Sequence, residues 1–354
     1  MLAPLADLKN QDPDPPAAVT LPALRDGGVR LALATIFTEP VDDPAATLHA
    51  EQYRAGDAEG AHRRGRAQLE VYLTWRDRGQ ISMNLRERLT ADPDVGEIRG
   101  GMGVSEVEPP TLASRVAAAL RDGPLHIGVL MENADPIRSP DELEWWAEHG
   151  VVAIGLAWAR PSRYASGNAT PLETRVGLTD LGREMVAEMD RLGVTHDVSH
   201  LSDRALEDLF IATSRPVIAS HSNCRALIDR PGGPANQRHL TDQAIREIVR
   251  RGGVIGLNLY SSFLIRGAAR DRRASLDEAV SHVERVCELA DSRRFVGLGS
   301  DMDGGFSAQR LPAGIDAPRG LHLLREELHR KGWSDEEVED FAWRNWARFF
   351  AGEK

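Results

Sequence analysis

Short, continuously hydrophobic segments recur along the chain. They are VRLALATIF (29–37), LHIGVLM (125–131), VVAIGLAW (151–158), VTHDVSH (194–200), PVIASH (216–221), VIGLNLY (254–260) and FVGLGS (295–300). Unbroken rather than alternating hydrophobicity is typical of parallel strands that are buried on both faces. The pattern therefore predicts seven parallel strands.

Helical start signals lie between these predicted strands. Thr179, Ser202 and Thr241 each precede an amphipathic segment, and Ser139 with Glu142 predicts a capping box. Strands that alternate with helices over such a length indicate a parallel sheet. We therefore predict an α/β fold, either doubly wound or closed into a (β/α)8 barrel of the TIM type, and we favour the barrel.

Other segments complete the predicted organisation, in which residues 1–354 form a single domain. A long helical stretch covers about 45–78, and residues 88–112 are rich in Gly, Pro and Asp, which predicts a loop insertion. Residues 318–354 predict two or three helices packed outside the barrel. Ser334 and Glu337 form a second predicted capping box there.

A closed barrel of this type needs eight strands, and the pattern predicts only seven. Upstream of residue 29 the chain has only a polar, Pro-rich segment and the short helix-like LPALRDGG. Either the true start lies upstream of this sequence, or the protein has lost its first strand. A barrel without one strand exposes two edges and part of its core, so we favour the first explanation.

Charge and composition narrow the class of protein. The net charge of −11 argues against a nucleic-acid partner, because phosphate binding needs a basic face. The two cysteines, Cys224 and Cys287, share no short motif, which fits a reducing compartment. Without an 18-residue apolar run or a basic-then-apolar leader pattern, we expect a cytoplasmic protein with no membrane partner.

Polar residues follow most of the predicted strands, where barrel enzymes place their active sites. They are Glu132, Trp158, His200, His221, Asn258, Asp301 and Asp303. Two imidazoles and a carboxylate are enough to hold one Zn²⁺ and leave a position for water. We therefore predict a metal site in which His200 and His221 join a strand-end carboxylate, either Glu132 or an aspartate. His196 shares the strand with His200, and we expect it to be a structural histidine inside the barrel.

Five stretches point to a known family. They are GVLMENADPI, GLTDLGREMVAEMDRLG with the following DVSHLS, PVIASHSNCRAL, NQRHLTD and VGLGSDMDGG, and they span about 125–305. In this order they resemble the renal, or membrane, dipeptidase family (peptidase family M19), a zinc-dependent branch of the amidohydrolase superfamily. This resemblance implies a TIM-type barrel with a binuclear zinc site.

The resemblance also implies roles for individual residues. Glu132 would bridge the two zinc ions, and His200 and His221 would hold the second ion. Arg238, in the QRHLTD segment, would bind the terminal carboxylate of the substrate, which suits a planar guanidinium. Asp301 would assist proton transfer at the substrate's amino end. Asp303 is expected to be a structural turn residue.

Two departures from the family pattern stand out. The family's first strand ends in a His-x-Asp pair that supplies ligands of the first zinc, and this sequence contains no such pair. The strand ending at 158 should offer a substrate-contacting histidine, where this sequence has Trp158. We therefore expect one intact zinc site and a shifted substrate preference.

The expected activity is zinc-dependent hydrolysis of small peptides, with dipeptides as the expected substrates, by metal-activated hydroxide. Arg238 favours a substrate with a free carboxylate. The resemblance also implies a homodimer as a candidate assembly, because family members are often dimers. Two alternatives stay open. One is a related amidohydrolase acting on another amide or lactone, and the other is a catalytically impaired barrel that lacks the first metal site.

Overall fold

The computed structural model describes residues 17–83, 123–230, 232–233, 235–267 and 272–352. The predicted insertion at 88–112 lies outside these ranges. The strands are β1 (Leu31–Ile36), β2 (Glu39–Val41), β3 (Gln52–Arg54), β4 (Ile81–Ser82), β5 (Leu125–Met131), β6 (Val151–Gly155), β7 (Thr195–Asp197), β8 (Val217–Ile218), β9 (Ile255–Leu257) and β10 (Val296–Leu298). All seven predicted strands are present, although most are shorter than the hydrophobic segments that predicted them.

The helices lie between and after these strands. They are α1 (Leu21–Asp26), α2 (Ala58–Asp77), α3 (Leu143–Glu148), α4 (Asp180–Leu192), α5 (Asp203–Ala212), α6 (Arg225–Ile228), α7 (Asp242–Arg250), α8 (Leu276–Ala290), α9 (His322–Arg330), α10 (Asp335–Glu339) and α11 (Asn345–Ala351). A π-helical turn joins α10 to α11. Across the described ranges, no helix combines the length and apolarity needed to span a bilayer.

The predicted helix starts are mostly confirmed. Thr179, Ser202 and Thr241 each accept a hydrogen bond from a backbone N–H of the first turn, and Ser334 forms a capping box with Glu337. The capping box predicted at Ser139 is wrong. Glu142 instead accepts a 2.9 Å hydrogen bond from the backbone N–H of Arg138 and pairs with its guanidinium, so the helix there begins with a 3₁₀ turn.

The main sheet is parallel and has the strand order β1-β5-β6-β7-β8, with β4 pairing the amino end of β5, while β2 and β3 pair separately. The bridge between Ala219 and Ile255 joins β8 to β9, and β9 pairs with β10. With helices between successive strands, this is the α/β arrangement of a TIM-type barrel. The predicted helix over 45–78 is wrong in its first part, because β3 lies there and α2 begins only at Ala58.

One face of the sheet forms the barrel interior. Leu130 of β5 is in register with Ala153 of β6, and Asp197 of β7 is in register with Ile218 of β8. Residues in register share a face, and so do residues two positions apart on one strand. Glu132 and Asp197 therefore face the interior together with the buried Leu130.

The C-terminal helices do not all pack outside the barrel, and that prediction is wrong for α11. Trp346 and Phe350 of α11 join Leu130, Ile218 and Val254 in one buried cluster on the interior face. A Cβ on Gly297 would come within 2.4 Å of the Trp346 indole nitrogen, so glycine leaves the space that this indole occupies. The last helix therefore fills part of the barrel interior.

The outer edges of β1 and β10 are covered by side chains. Trp346 Nε1 donates to the backbone oxygen of Leu298, 3.0 Å away, and Asn345 Nδ2 donates to that of Val296. On β1, Tyr72 Oη of α2 donates to the backbone oxygen of Thr35 at 2.9 Å. No strand within the described ranges pairs with either edge. Side chains thus satisfy backbone groups that a neighbouring strand would otherwise pair.

Candidate metal centre

Three side chains converge at the carboxyl end of the sheet. Oε1 of Glu132 lies 3.1 Å from Nε2 of His200 and 2.9 Å from Nε2 of His221. The two Nε2 atoms lie 2.8 Å apart, and both imidazoles are buried. Among the residues described, no other group of three His, Cys, Asp or Glu side chains comes close enough to hold a metal ion. The sequence prediction that Glu132, His200 and His221 meet at one point agrees with this geometry.

His200 reaches the site because its backbone leaves the strand conformation. The strand β7 ends at Asp197, and His200 has a left-handed φ of 70°. The alternation of faces along a strand therefore does not extend from His196 to His200. His196 faces the helical layer, where Nε2 lies 2.8 Å from Oδ1 of Asp190 on α4. His196 is buried as predicted, but the prediction that it faces the barrel interior is wrong.

Each imidazole has a partner on its other nitrogen. Nδ1 of His221 lies 2.7 Å from Oγ of Ser220, and Nδ1 of His200 lies 3.2 Å from Oδ1 of Asn168. An amide oxygen only accepts, so Nδ1 of His200 carries the hydrogen and Nε2 carries a lone pair. Metal-binding histidines commonly have such an outer partner. The donor set therefore suits a divalent metal ion.

The charges around the site also favour a cation. Burial would raise the pKa of Glu132, but the adjacent imidazoles of His200 and His221 outweigh it and hold this pKa well below its usual range. Burial, together with the positive charge of Arg238, lowers the pKa of His200 to about 3. Glu132 is thus anionic and His200 neutral near pH 7, which are the forms that bind metal.

Asp301 lies beside this group. It is held in a left-handed conformation with a φ of 55°, and Oδ2 accepts a 2.8 Å hydrogen bond from Nδ2 of Asn258. Burial, reinforced by the negative charge of Glu132, raises the pKa of Asp301 to about 6. A carboxyl group with such a pKa can both hold and release a proton near neutral pH. Asp303, two residues on, accepts hydrogen bonds from the backbone of Ala18 and Val19, which is a structural role.

Arg238 is a buried cation in the same site. Its Nη1 donates to Ser222 Oγ at 3.1 Å, and its Nη2 donates to the backbone oxygen of His221 at 2.8 Å. Its Nε is buried and has no hydrogen-bond partner among the described residues. Burial lowers the pKa of Arg238, while the charges of Asp301 and Glu132 oppose that shift. These bonds fix the guanidinium beside the three converging side chains.

Trp158 borders the site as an aromatic wall. Its ring makes an edge contact with Phe37, with centroids 5.0 Å apart, and lies 5.8 Å from the His200 ring. Trp158 is half-buried. The structure therefore brings all the predicted site residues to one end of the sheet, although their roles in binding and catalysis stay predictions.

Four residues near the centre had no predicted role. Asp197 begins the DVSHLS stretch that contains His200, and Ser220 directly precedes His221, so their proximity to the histidines was visible in the sequence. Asn258 stood at a strand end without an assigned function. Asn168 lies in the loop after β6, and nothing in the sequence pattern separates it from its neighbours.

Comparison with known proteins decides the family. The sequence model of the membrane dipeptidase family (peptidase family M19) matches residues 104–353. The chain belongs to this family. Peptidase family M19 is a family of hydrolases that act on peptide bonds, and its metallopeptidase character implies a divalent metal.

Individual relatives cover this M19 chain only in part. A Klebsiella pneumoniae protein of the pqqA 5' region is 32% identical over 58% of this chain and 74% of its own length. An uncharacterised dipeptidase of Schizosaccharomyces pombe is 28% identical over 58% of this chain and 48% of its own length. Rat dipeptidase 3 is 29% identical over 49% of this chain, and the match spans a third of that protein (33%).

Solved structures share the fold over nearly the whole chain. A metallopeptidase from Rhodobacter sphaeroides, liganded with a phosphinate mimic of L-Ala-D-Ala, has a TM-score of 0.73 at 23% identity, covering 98% of this chain and 93% of its own. The probable dipeptidase PvdM from Pseudomonas aeruginosa has a TM-score of 0.73 at 20% identity, covering 96% and 90%. At these identities the comparison shows the TIM-type fold alone.

Proposed function

We propose that this chain is a zinc-dependent dipeptidase whose metal is held by Glu132, His200 and His221. The observation that carries the proposal is the meeting of two imidazole Nε2 atoms and one carboxylate oxygen within about 3 Å of each other, at the carboxyl end of a barrel sheet. When bound, zinc supplies polarisation of the peptide carbonyl and activation of a water molecule. The protein's own groups then bind, orient and exchange protons.

Arg238 supports a substrate with a free carboxylate. The guanidinium is buried beside the metal ligands, and its bonds to Ser222 and the His221 carbonyl fix its orientation. A buried cation of this kind stabilises a planar anionic group through charge and hydrogen bonding. We therefore propose that the terminal carboxylate of a small peptide binds at Arg238.

Asp301 supports the proton-transfer step. With a pKa raised to about 6, its carboxyl group can accept a proton and pass it to the departing amino group. Asn258 orients the carboxyl through Oδ2. In this proposal Asp301 is the general acid for release of the amine.

We also propose that this 354-residue chain binds a single zinc ion, at Glu132, His200 and His221. His-x-Asp, the pair that the family's first zinc requires, occurs nowhere among the 354 residues. That same observation favours the alternative candidate, a barrel that binds metal but turns over no substrate. The two candidates differ in activity and agree in metal content.

Two measurements on the 354-residue protein separate these outcomes. Elemental analysis after dialysis gives the metal content, and a panel of dipeptides is assayed with and without a chelator. About one zinc per chain with chelator-sensitive hydrolysis supports the proposal. One zinc without hydrolysis supports the impaired barrel, two zinc ions contradict the single-ion proposal, and no metal contradicts the site itself.

The carboxylate pocket has its own test. Wild-type protein should prefer free dipeptides over the same dipeptides carrying a C-terminal amide. In Arg238→Met this preference should fall by at least about tenfold, because the cation that recognises the carboxylate is gone. The amide substrates serve as the matched control, since their turnover reports any damage to His221. An unchanged preference in Arg238→Met would show that the carboxylate binds elsewhere.

A further inference from the structure

We propose that Asp197 and Ser220 form a relay that fixes the tautomer of His221 so that Nε2 is free to bind the metal. Asp197 is then a positioning residue that acts on the metal through Ser220. The proposal rests on the metal site proposed above, and the test given below separates the two.

Asp197 is fully buried on the interior face of β7. Its Oδ1 accepts hydrogen bonds from the backbone N–H groups of Ser199, at 3.1 Å, and Ser220, at 2.9 Å. Its Oδ2 accepts from the hydroxyl of Ser220 at 2.5 Å. Both oxygens therefore act as acceptors, as expected of a carboxylate.

The hydroxyl of Ser220 has only one hydrogen to donate. Ser199 Oγ is a competing acceptor at 3.4 Å, so the 2.5 Å bond holds the hydrogen on the Asp197 side. Toward Nδ1 of His221, 2.7 Å away, Ser220 Oγ can then only accept. Nδ1 of His221 consequently carries the ring hydrogen, and the lone pair of Nε2 is available to a metal ion held together with Glu132 and His200.

Replacing Asp197 by asparagine would reverse this relay with almost no change of shape. The side-chain oxygen must stay with the two backbone N–H groups, so the amide nitrogen faces Ser220. Ser220 Oγ then accepts from Asn and donates to His221 Nδ1, which moves the ring hydrogen to Nε2. An asparagine in place of the aspartate of a Ser-His-Asp triad causes the same kind of tautomer error.

The test compares zinc affinity and tautomer in matched variants, with zinc itself as the probe. Competition with a chelator should show zinc binding about 10- to 100-fold weaker in Asp197→Asn than in wild type. In alkaline buffer without metal, ¹⁵N NMR should show the His221 hydrogen on Nδ1 in wild type and on Nε2 in Asp197→Asn. Ser220→Ala should also weaken binding, and Ser220→Thr, which keeps the hydroxyl, should restore it.

Asp190→Asn is the matched control, because Asp190 also contacts a buried histidine, His196, at 2.8 Å, and its other partners are Thr213 and Arg215 rather than a proposed ligand. Its zinc affinity should equal that of wild type. Equal affinity and an unchanged tautomer in Asp197→Asn would overturn the relay while leaving the proposed function intact. If wild type binds no zinc, the proposed function fails and the NMR readout alone decides the relay. If Asp197→Asn does not fold, the wild-type spectrum and the two Ser220 variants decide it.

Discussion

Polar groups are satisfied differently at the outer edges of β1 and β10, here called the edge side, and at the strand ends that carry the candidate metal centre. Along the outer edges of β1 and β10, several backbone groups that face away from the sheet receive donors from side chains of α2 and the C-terminal segment. At the ends of β5, β7 and β8, three side chains instead turn their acceptor atoms toward each other. Side chains supply the hydrogen bonds at the edges, whereas the three acceptor atoms of the candidate metal centre require a cation between them.

The contrast extends to what lies behind each region. The edge side has an apolar backing in which Trp346 and Phe350 meet Leu130. The metal centre is backed by Asp197, Ser220 and Asn168, which orient the imidazoles. Stability should therefore respond most to changes on the edge side, and metal affinity to changes around the centre.

Removal of a proposed metal ligand should have the largest effect on zinc affinity. In Glu132→Ala the two imidazoles lose the anion between them, so zinc affinity should fall by more than the about 100-fold that loss of an outer partner can cost. Chelator competition measures the affinity, and thermal unfolding of the metal-free protein checks the fold. Retention of wild-type zinc affinity would show that Glu132 is not a ligand.

The corresponding change on the edge side is Trp346→Ala. It leaves a cavity in the interior cluster and removes the indole hydrogen bond to the Leu298 carbonyl. We expect a loss of about 3 to 5 kcal/mol in the free energy of unfolding, measured with urea. Trp343→Ala, at a half-buried position just before the same helix, is the control and should cost less. Because Trp343 also packs against this cluster, the deciding outcome is the Trp346→Ala loss itself, and a loss well below this range would argue against an interior role for Trp346.

The buried His282 of α8 gives a pH-dependent test. Nδ1 of His282 accepts a hydrogen bond from the backbone N–H of Cys224, and burial lowers the pKa of His282 to about 4. In the unfolded chain the pKa of this histidine is about 6.5. Above that pH the ring is neutral in both states, and its stabilising contribution is fully present. This contribution is lost as the pH falls from about 6.5 to about 4, and it amounts to roughly 3 kcal/mol.

Urea unfolding of metal-free protein between pH 7 and pH 4 measures this effect. His282→Asn is the comparison variant, because its side-chain oxygen can accept the same backbone hydrogen bond without titrating. The stability advantage of wild type over the variant should shrink as the pH falls. An advantage that stays constant over this range would contradict the buried, neutral state of His282.

The sequence predicted the framework well where the signal is local. Hydrophobic runs located all seven strands, and cap residues such as Thr179 and Ser202 located helix starts. The same logic predicts that His200 and His221 meet a carboxylate, since strand ends meet at one edge of a parallel sheet, and the family resemblance selected Glu132. The prediction of a capping box failed at Ser139, where Glu142 pairs with Arg138 instead of capping the helix.

What the sequence did not predict depends on long-range packing. The interior position of Trp346 is decided by the space at Gly297, 49 residues earlier in the chain. The orientation of His196 required knowing that β7 ends at Asp197 and that His200 lies in a left-handed turn. Asn168 meets His200 through a loop, and no hydrophobic period constrains a loop.

The smallest change tests the edge of β1 at a single hydrogen bond. Tyr72→Phe removes the hydroxyl that donates to the Thr35 carbonyl and leaves the ring packing in place. Because that carbonyl then loses its protein donor, we expect a loss of about 1 kcal/mol in unfolding free energy with unchanged zinc affinity. Tyr260→Phe is the control, because the Tyr260 ring stacks on Phe306 and its hydroxyl has no hydrogen-bond partner within the described ranges. A fall in zinc affinity in Tyr72→Phe would mean that the two sides of the barrel are coupled, because a strand edge would then influence ligands held on β5, β7 and β8.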